Sequence, residues 1–175
     1  MRQMLRHPLI LLLILFVLLG GGCVGNNITQ PTGEIAEAEI HVVHPAAGGI
    51  IEVKFYLETL KFQKKSKYAE VSTPGAKPFL QFINSELSVL SMTLFFDSSE
   101  AGTDVRELTN NVLSLIDVDQ TINAPPILSF RWKGVEFECV LESAVQEFLK
   151  LFPDGRPSRA KIDVIFKEFV TLSGN

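Results

Sequence analysis

The residues that could support catalysis or metal binding are few, and their spacing does not suit either task. His7 falls in an apolar N-terminal run, which leaves His41 and His44. Since these two are three residues apart on a predicted strand, their side chains point to opposite faces and would not share a metal ion. Residues 117–120, "DVDQ", begin like a calcium loop but lack the glycine and the distal glutamate that such a loop needs. We therefore expect no metal site and no cofactor.

The motifs of common enzyme classes are also missing from the sequence. It contains neither a glycine-rich phosphate loop nor a Gly-x-Ser-x-Gly stretch. Glu136, Glu138 and Glu142 alternate with apolar residues and are expected to face solvent, although Glu136 and Glu138 could also form an acidic ladder facing a channel. We predict that the chain is not an enzyme.

The two cysteines lie in different contexts. Cys139 alternates with Phe137 and Leu141, which indicates a buried thiol on a strand. Cys23 follows an apolar run instead. A disulfide between the two is compatible with the sequence, but nothing requires one.

Residues 1–23, "MRQMLRHPLILLLILFVLLGGGC", form a signal-like or membrane-anchor segment. The apolar run at residues 9–19 is short for a membrane-spanning helix, which needs about 20 residues, and it suits a signal peptide. Small residues followed by Cys23 resemble a bacterial lipoprotein signal, in which that cysteine would be lipidated. An uncleaved anchor and a misassigned start codon are the alternatives, and residues 24–34 would be a polar tether.

Composition and charge limit the class of protein to which the rest of the chain can belong. Hydrophobic residues make up 46% of the sequence and charged residues 21%, which is typical of a globular protein. Without Arg2 and Arg6, 14 basic residues stand against 20 acidic ones. Because an acidic domain without a basic stripe does not attract phosphates, we exclude a nucleic-acid partner.

The elements that would position any site are mostly strands. Period-2 alternation predicts strands at residues 39–43, 50–58, 90–96, 128–132, 135–141 and 162–166. Lys133 and Gly134 indicate a tight hairpin, and the strand after it could continue, with a bulge, to Phe152. Residues 152–157, "FPDGRP", have the composition of a turn.

Only one stretch predicts a helix, at about residues 104–117. Val105, Leu108 and Val112 fall on one face at helical spacing, and Asp104 with Glu107 resembles a capping box. One helix among about seven strands indicates a mainly β fold, a β-barrel or sandwich of two packed sheets with a flanking α-helix.

Residues 61–77, "KFQKKSKYAEVSTPGAK", are basic and only weakly periodic. A connection this long in a compact domain is usually functional or mobile. It is either a solvated loop or an arm that contacts a neighbouring subunit through Lys64, Lys65, Lys67 and Tyr68.

Three blocks of sequence carry a resemblance to a known family. They are "LSMTLFFDSSEAGTDVRE" at 90–107, "APPILSFRWKGVEFECVLESA" at 124–144 and "LFPDGRPSRAKIDVIFKEF" at 151–169. In this order and spacing they resemble the N-terminal domain of contractile injection system tube proteins, the baseplate tube-adaptor relatives of phage tail tubes. The resemblance covers about residues 35–171. Its motif residues are Phe96, Asp97, Gly102, Thr103, Asp104, Arg106, Pro125, Pro126, Trp132, Pro153, Asp154, Gly155 and Arg159.

The resemblance implies a tail-tube-like domain at residues 35–172. Six copies would form a ring around a channel, between the spike hub and the inner tube, and the ring would template tube assembly. The partners would be other copies of the chain, the inner tube, the spike hub and baseplate proteins. The junction from Asp97 to Asp104 would then fix how the helix sits on the ring wall.

Three departures from the family pattern affect these expectations. Relatives often carry an "FNP"-like start after the early strand, whereas here Phe55 is followed by "YLET". Many continue into a LysM-type module, which is absent here, so that contact would be lost or supplied by another protein. Relatives also generally lack an apolar leader. Lipidation of Cys23 would favour a membrane-tethered lipoprotein that uses the tube fold as a binding module. An uncleaved anchor would instead tie a baseplate to the membrane.

Overall fold

The computed structural model describes residues 33–46 and 48–171. The predictions for the leader, for Cys23 and for most of the tether lie outside the described residues. The strands are β1 (Ile35–His44), β2 (Ile50–Tyr56), β3 (Lys61–Gln63), β4 (Ser66–Val71), β5 (Phe79–Ser85), β6 (Val89–Asp97), β7 (Ile127–Trp132), β8 (Val135–Leu151) and β9 (Pro157–Glu168). Helix α1 spans Arg106–Leu113, and short 3₁₀ turns cover Leu57–Thr59 and Ser114–Ile116.

Seven of the strands form one antiparallel sheet that closes on itself. Its order is β2-β1-β7-β8-β9-β6-β3, and β2 also pairs with β6 through Lys54–Phe95 and Phe55–Leu94. Where the turn after β2 interrupts this seam, the backbone N–H of Thr93 donates to Thr59 Oγ1 at 2.9 Å. Strands β4 and β5 form a second, two-stranded sheet. The mainly β fold with a single helix is confirmed for the described residues.

The core lies inside the closed sheet, where alternate side chains of each strand meet. Phe55, Phe130 and Phe166 are fully buried, and the Phe130 ring centroid lies 6.3 Å from each of the other two. Cys139 is buried on β8, as its alternation predicts, and burial raises the pKa of its thiol to about 12. A thiol with that pKa stays protonated and unreactive at neutral pH.

The β7–β8 hairpin turns at the two residues that the sequence indicates. Lys133 has φ 44° and Gly134 has φ 85°, the left-handed pair that a tight turn requires. Strand β8 then runs on to Leu151 with register shifts against β9, the first of them beside Glu142. The predicted long, bulged strand is therefore present.

Helix α1 begins at Arg106, two residues after the predicted start at residue 104. A 3₁₀ turn at Ser114–Ile116 follows it and ends just before residue 117. Just before the helix, Asp104 Oδ1 accepts a hydrogen bond from the backbone N–H of Arg106, the first helical residue, at 2.9 Å. On its inner side, Val112 is fully buried, and Thr109 Oγ1 accepts a 2.8 Å hydrogen bond from Gln146 Nε2 of β8. This bond and the buried face hold the helix on the outside of the barrel.

Much of the basic stretch at residues 61–77 forms strands, in contrast to its interpretation as a solvated loop. It contains β3, which extends the barrel sheet beside β6, and β4, which pairs with β5. The alternation signal was weak because four of the six side chains of β4 and all seven of those of β5 are exposed, so no buried face marks these strands.

Candidate assembly interface

Residues 64–86 form a hairpin that we call the arm. Its two strands, β4 and β5, pair with each other and with no other described strand. The base is closed by the Glu86 N–H, which donates to the Lys65 carbonyl at 3.0 Å. At the tip, Gly75 adopts φ 80°, a conformation that other residues rarely take. The sequence left two interpretations open for this stretch, a solvated loop or an arm. The structure shows an ordered two-stranded projection.

The arm exposes large apolar side chains on both faces. Phe79, Leu80, Phe82 and Ile83 are 52% to 68% exposed. Tyr68 packs edge-on against Phe82, with 5.7 Å between ring centroids, and is still 53% exposed. Because a two-stranded hairpin is marginal in water unless another surface covers it, the arm has the properties of a contact element.

The arm is also the basic part of the described chain. Four lysines, at positions 64, 65, 67 and 77, stand against Glu70 and Glu86. None of these lysines forms an ion pair with another residue that the structure describes. The rest of the chain after residue 32 carries 10 basic and 18 acidic residues. Charge is therefore segregated between the arm and the body.

Most motif residues of the first and third sequence blocks meet at one corner of the barrel. Arg159 of β9 donates from Nε and Nη2 to Asp97 Oδ2, at 3.0 and 2.6 Å. The Arg159 guanidinium also lies over the Phe95 ring, 5.6 Å from its centroid. Burial alone would raise the pKa of Asp97, but hydrogen bonds from Ser99 and Arg159 outweigh it and lower the pKa.

Backbone hydrogen bonds join the loop after β6 to the start of β9. The Ser98 N–H donates to the Ser158 carbonyl, and the Val105 N–H donates to the Pro157 carbonyl, both at 2.9 Å. Inside the loop, Ser98 Oγ donates to the Thr103 carbonyl at 2.7 Å. The junction between β6 and α1 is therefore fastened to the barrel wall at both ends.

Two local ion pairs shape the same corner. Arg106 Nη2 lies 2.6 Å from Asp104 Oδ2, and Arg156 Nε lies 2.8 Å from Asp154 Oδ2. Hydrogen bonds from the arginine of each pair lower the pKa of the aspartate. Gly102 (φ 68°) allows the loop to turn back, and its carbonyl accepts from Arg156 Nη1 at 3.4 Å.

The remaining motif residues lie elsewhere. Phe96 points into the core, and Pro126 is buried just before β7. Trp132 ends β7 with its ring centroid 5.6 Å from that of Phe55. Its Nε1 is buried and has no hydrogen-bond partner among the described residues. Pro125 is partly buried, whereas Pro153 and Gly155 are exposed in the turn after β8.

In the described part of the chain, no group of three His, Cys, Asp or Glu side chains could hold a metal ion. His41 Nε2 lies 2.6 Å from Glu39 Oε2 on the outer face of β1. Within the same residues, no helix has the length and apolar character to span a membrane.

The sequence interpretation missed the second half of the arm. Phe79, Leu80, Phe82 and Ile83 follow the basic stretch, and their enrichment in β-forming residues was an available signal for a strand. It also did not single out the alternating glutamates Glu37 and Glu39, which occupy the outer face of β1.

Residues 35–175 match a family model described as contractile injection system tube protein. No curated protein matches the chain.

Proposed function

Since the chain belongs to the contractile injection system tube protein family, we propose that it is a baseplate subunit that forms a ring and starts the inner tube. Membership implies a structural role in a bacterial injection particle, in assembly with other components, rather than an enzymatic one. In the proposal, six copies surround a channel, join the spike hub to the inner tube and template tube assembly.

The observation that carries the proposal is the arm. A monomer leaves Phe79, Leu80, Phe82 and Ile83 more than half exposed on a two-stranded hairpin. Exposed apolar surface of this kind marks protein contact sites. A structural subunit that repeats in a ring supplies a covering surface from the next copy.

The corner that contains Asp97, Arg159 and the loop after β6 supports the proposal that the subunit forms part of the wall of a ring. Its ion pair and backbone bonds hold α1 in one position on the barrel. A ring needs such rigidity, because a small angular error at each subunit would prevent the rotation from closing. These residues thus fit a positioning function for the helix.

Imaging of the native particle tests the proposal. The native gene receives a C-terminal affinity tag, and material extracted with mild detergent is examined by electron microscopy. We expect sheathed particles labelled at the end that carries the spike. Label along the whole tube, or isolated protein in micelles without a tube, would contradict the baseplate role.

The leader supports a second candidate function, a membrane-tethered lipoprotein that uses the tube fold as a binding module. Its motivation is Cys23 after an apolar run. A clickable fatty acid should then label the protein, and Cys23→Ala should abolish the label. Labelling of Cys23 together with particles labelled at the spike end would instead indicate a baseplate attached to the membrane.

A further inference from the structure

We propose that the arm of one copy docks into an acidic groove on the body of the next copy. The groove lies between the outer faces of β1 and β2, the last residues of β6, and α1. This inference rests on the proposed function, because it names the surface that covers the arm within the assembly.

The groove is large and has apolar side chains in it. Its volume is about 1210 Å³, above the roughly 300–1,000 Å³ that is usual for small-molecule pockets. Ile35, Ile50 and Leu108 line it and are 43% to 60% exposed. A groove of this size suits a segment of polypeptide with apolar side chains better than it suits a small ligand.

Charge complementarity identifies the segment. Five carboxylates line the groove, those of Glu34, Glu37, Glu39, Glu52 and Asp97, against the lysines at 54 and 133. The arm carries the opposite excess, with four lysines and two glutamates. Facing potentials of opposite sign steer association and fix its register.

Two glutamates of the groove are arranged unfavourably in a single copy. Glu39 of β1 lies directly opposite Glu52 of β2 in the strand register. Like charges at directly opposed positions of neighbouring strands are destabilising. Glu52 has no ion-pair partner among the described residues. Lysines of an incoming arm would relieve this repulsion.

The position of the arm favours a contact between copies. The arm joins β6 just before Val89, whereas the groove borders the other end of that strand at Phe95–Asp97. Six to eight residue steps along β6 separate the two, a distance of roughly 20–26 Å. No arm residue lines the groove. A contact between two different surfaces is heterologous, and repetition of it gives a closed ring or an open stack.

A charge-exchange experiment tests the docking with the full chain in mild detergent. The arm variant is Lys64→Glu, Lys65→Glu and Lys67→Glu; the groove variant is Glu34→Lys, Glu37→Lys and Glu52→Lys. We expect each variant alone to remain monomeric by sedimentation velocity. An equimolar mixture should assemble, since each arm then meets a groove of opposite charge. Circular dichroism should show both variants folded as the wild type is.

A matched control distinguishes an effect of the groove on assembly from an effect of net charge. The triple Glu100→Lys, Asp117→Lys and Glu138→Lys changes the charge by the same amount at exposed positions outside the groove. We expect this control to assemble as the wild type does. If it loses assembly to the same extent as the groove variant, net charge explains the effect and the docking site is wrong.

Further outcomes separate this inference from the proposed function. If the wild type forms rings but the mixture stays monomeric, the docking site is wrong and the ring role stands. If the groove variant assembles normally while the arm variant loses binding to phosphatidylcholine–phosphatidylserine vesicles, the partner of the arm is a membrane. If the wild type itself forms no oligomer, both the docking and the ring role are contradicted.

Discussion

At the scale of single residues, the ion pair between Asp97 and Arg159 links two distant parts of the chain. It joins the end of β6 to the start of β9 beside the loop that leads to α1. Both side chains are about one-third exposed, at 30% and 37%. A pair of this exposure contributes modestly to stability, and its larger effect is to orient the loop.

Replacement of Asp97 should have a pH-dependent effect. The folded-state pKa of Asp97 lies below its ordinary value of 3.8, so its contribution is present above pH 3.8 and is lost as the pH falls through the folded pKa. We expect Asp97→Asn to lower the free energy of unfolding by about 1 kcal/mol at pH 7. The difference from the wild type should shrink below pH 3.8 in urea titrations.

Glu100→Gln serves as the control for Asp97→Asn, since Glu100 is exposed and in no ion pair with a described residue. It should leave the free energy of unfolding unchanged across the same pH range. An Asp97→Asn effect that is equal at every pH would mean that the carboxylate charge has no part in the bond.

Core phenylalanines test the assignment of strand faces. Phe130 and Phe166 are 1% and 0% exposed, so Phe130→Ala and Phe166→Ala should each cost about 3–5 kcal/mol in urea unfolding. Phe79→Ala, at a side chain that is 56% exposed, should cost less than about 1 kcal/mol in the monomer. Equal costs at all three positions would mean that the strand faces are misassigned.

At the scale of elements, the arm and the barrel follow different rules. The barrel strands bury one face each, so alternation marks them in the sequence. The arm strands bury neither face in one copy. An element of that kind is stabilised by the surface that it contacts. Mutations in it should therefore affect assembly more than folding.

Apolar residues of the arm should therefore matter for association. We expect Leu80→Ser with Phe82→Ser to change the monomer's free energy of unfolding by less than about 1 kcal/mol, and to reduce the assembled fraction in sedimentation velocity by at least tenfold. Val118→Ser with Val145→Ser, at side chains 63% and 61% exposed, is the matched control. Loss of assembly in the control alone would contradict the role of the arm.

At the scale of the whole molecule, assembly should make stability depend on concentration. A partner that binds only the folded state raises the melting temperature by mass action. We expect the melting temperature of the wild type to rise with protein concentration in scanning calorimetry. The variant with Leu80→Ser and Phe82→Ser should melt at one temperature throughout. A wild type that is insensitive to concentration would argue against oligomerisation through folded copies.

The amino-acid sequence alone determined the features that depend on neighbouring residues and on burial of one face. Alternation located the barrel strands at 90–96, 128–132 and 162–166, helical spacing located α1, and Lys133–Gly134 located a hairpin turn. It also indicated that Cys139 is buried. Each of these follows from a local period, because one side of the element faces a common core.

Only the tertiary structure decided how distant segments combine. The closure of β2 on β6, the Asp97–Arg159 pair, and the grouping of Glu34, Glu37, Glu39 and Glu52 around one groove join residues far apart in the chain. The pairing of β4 with β5 into a two-stranded arm was also decided only by the structure, since these strands share no buried face within one copy. Such features depend on chain topology, which no local pattern in the sequence encodes.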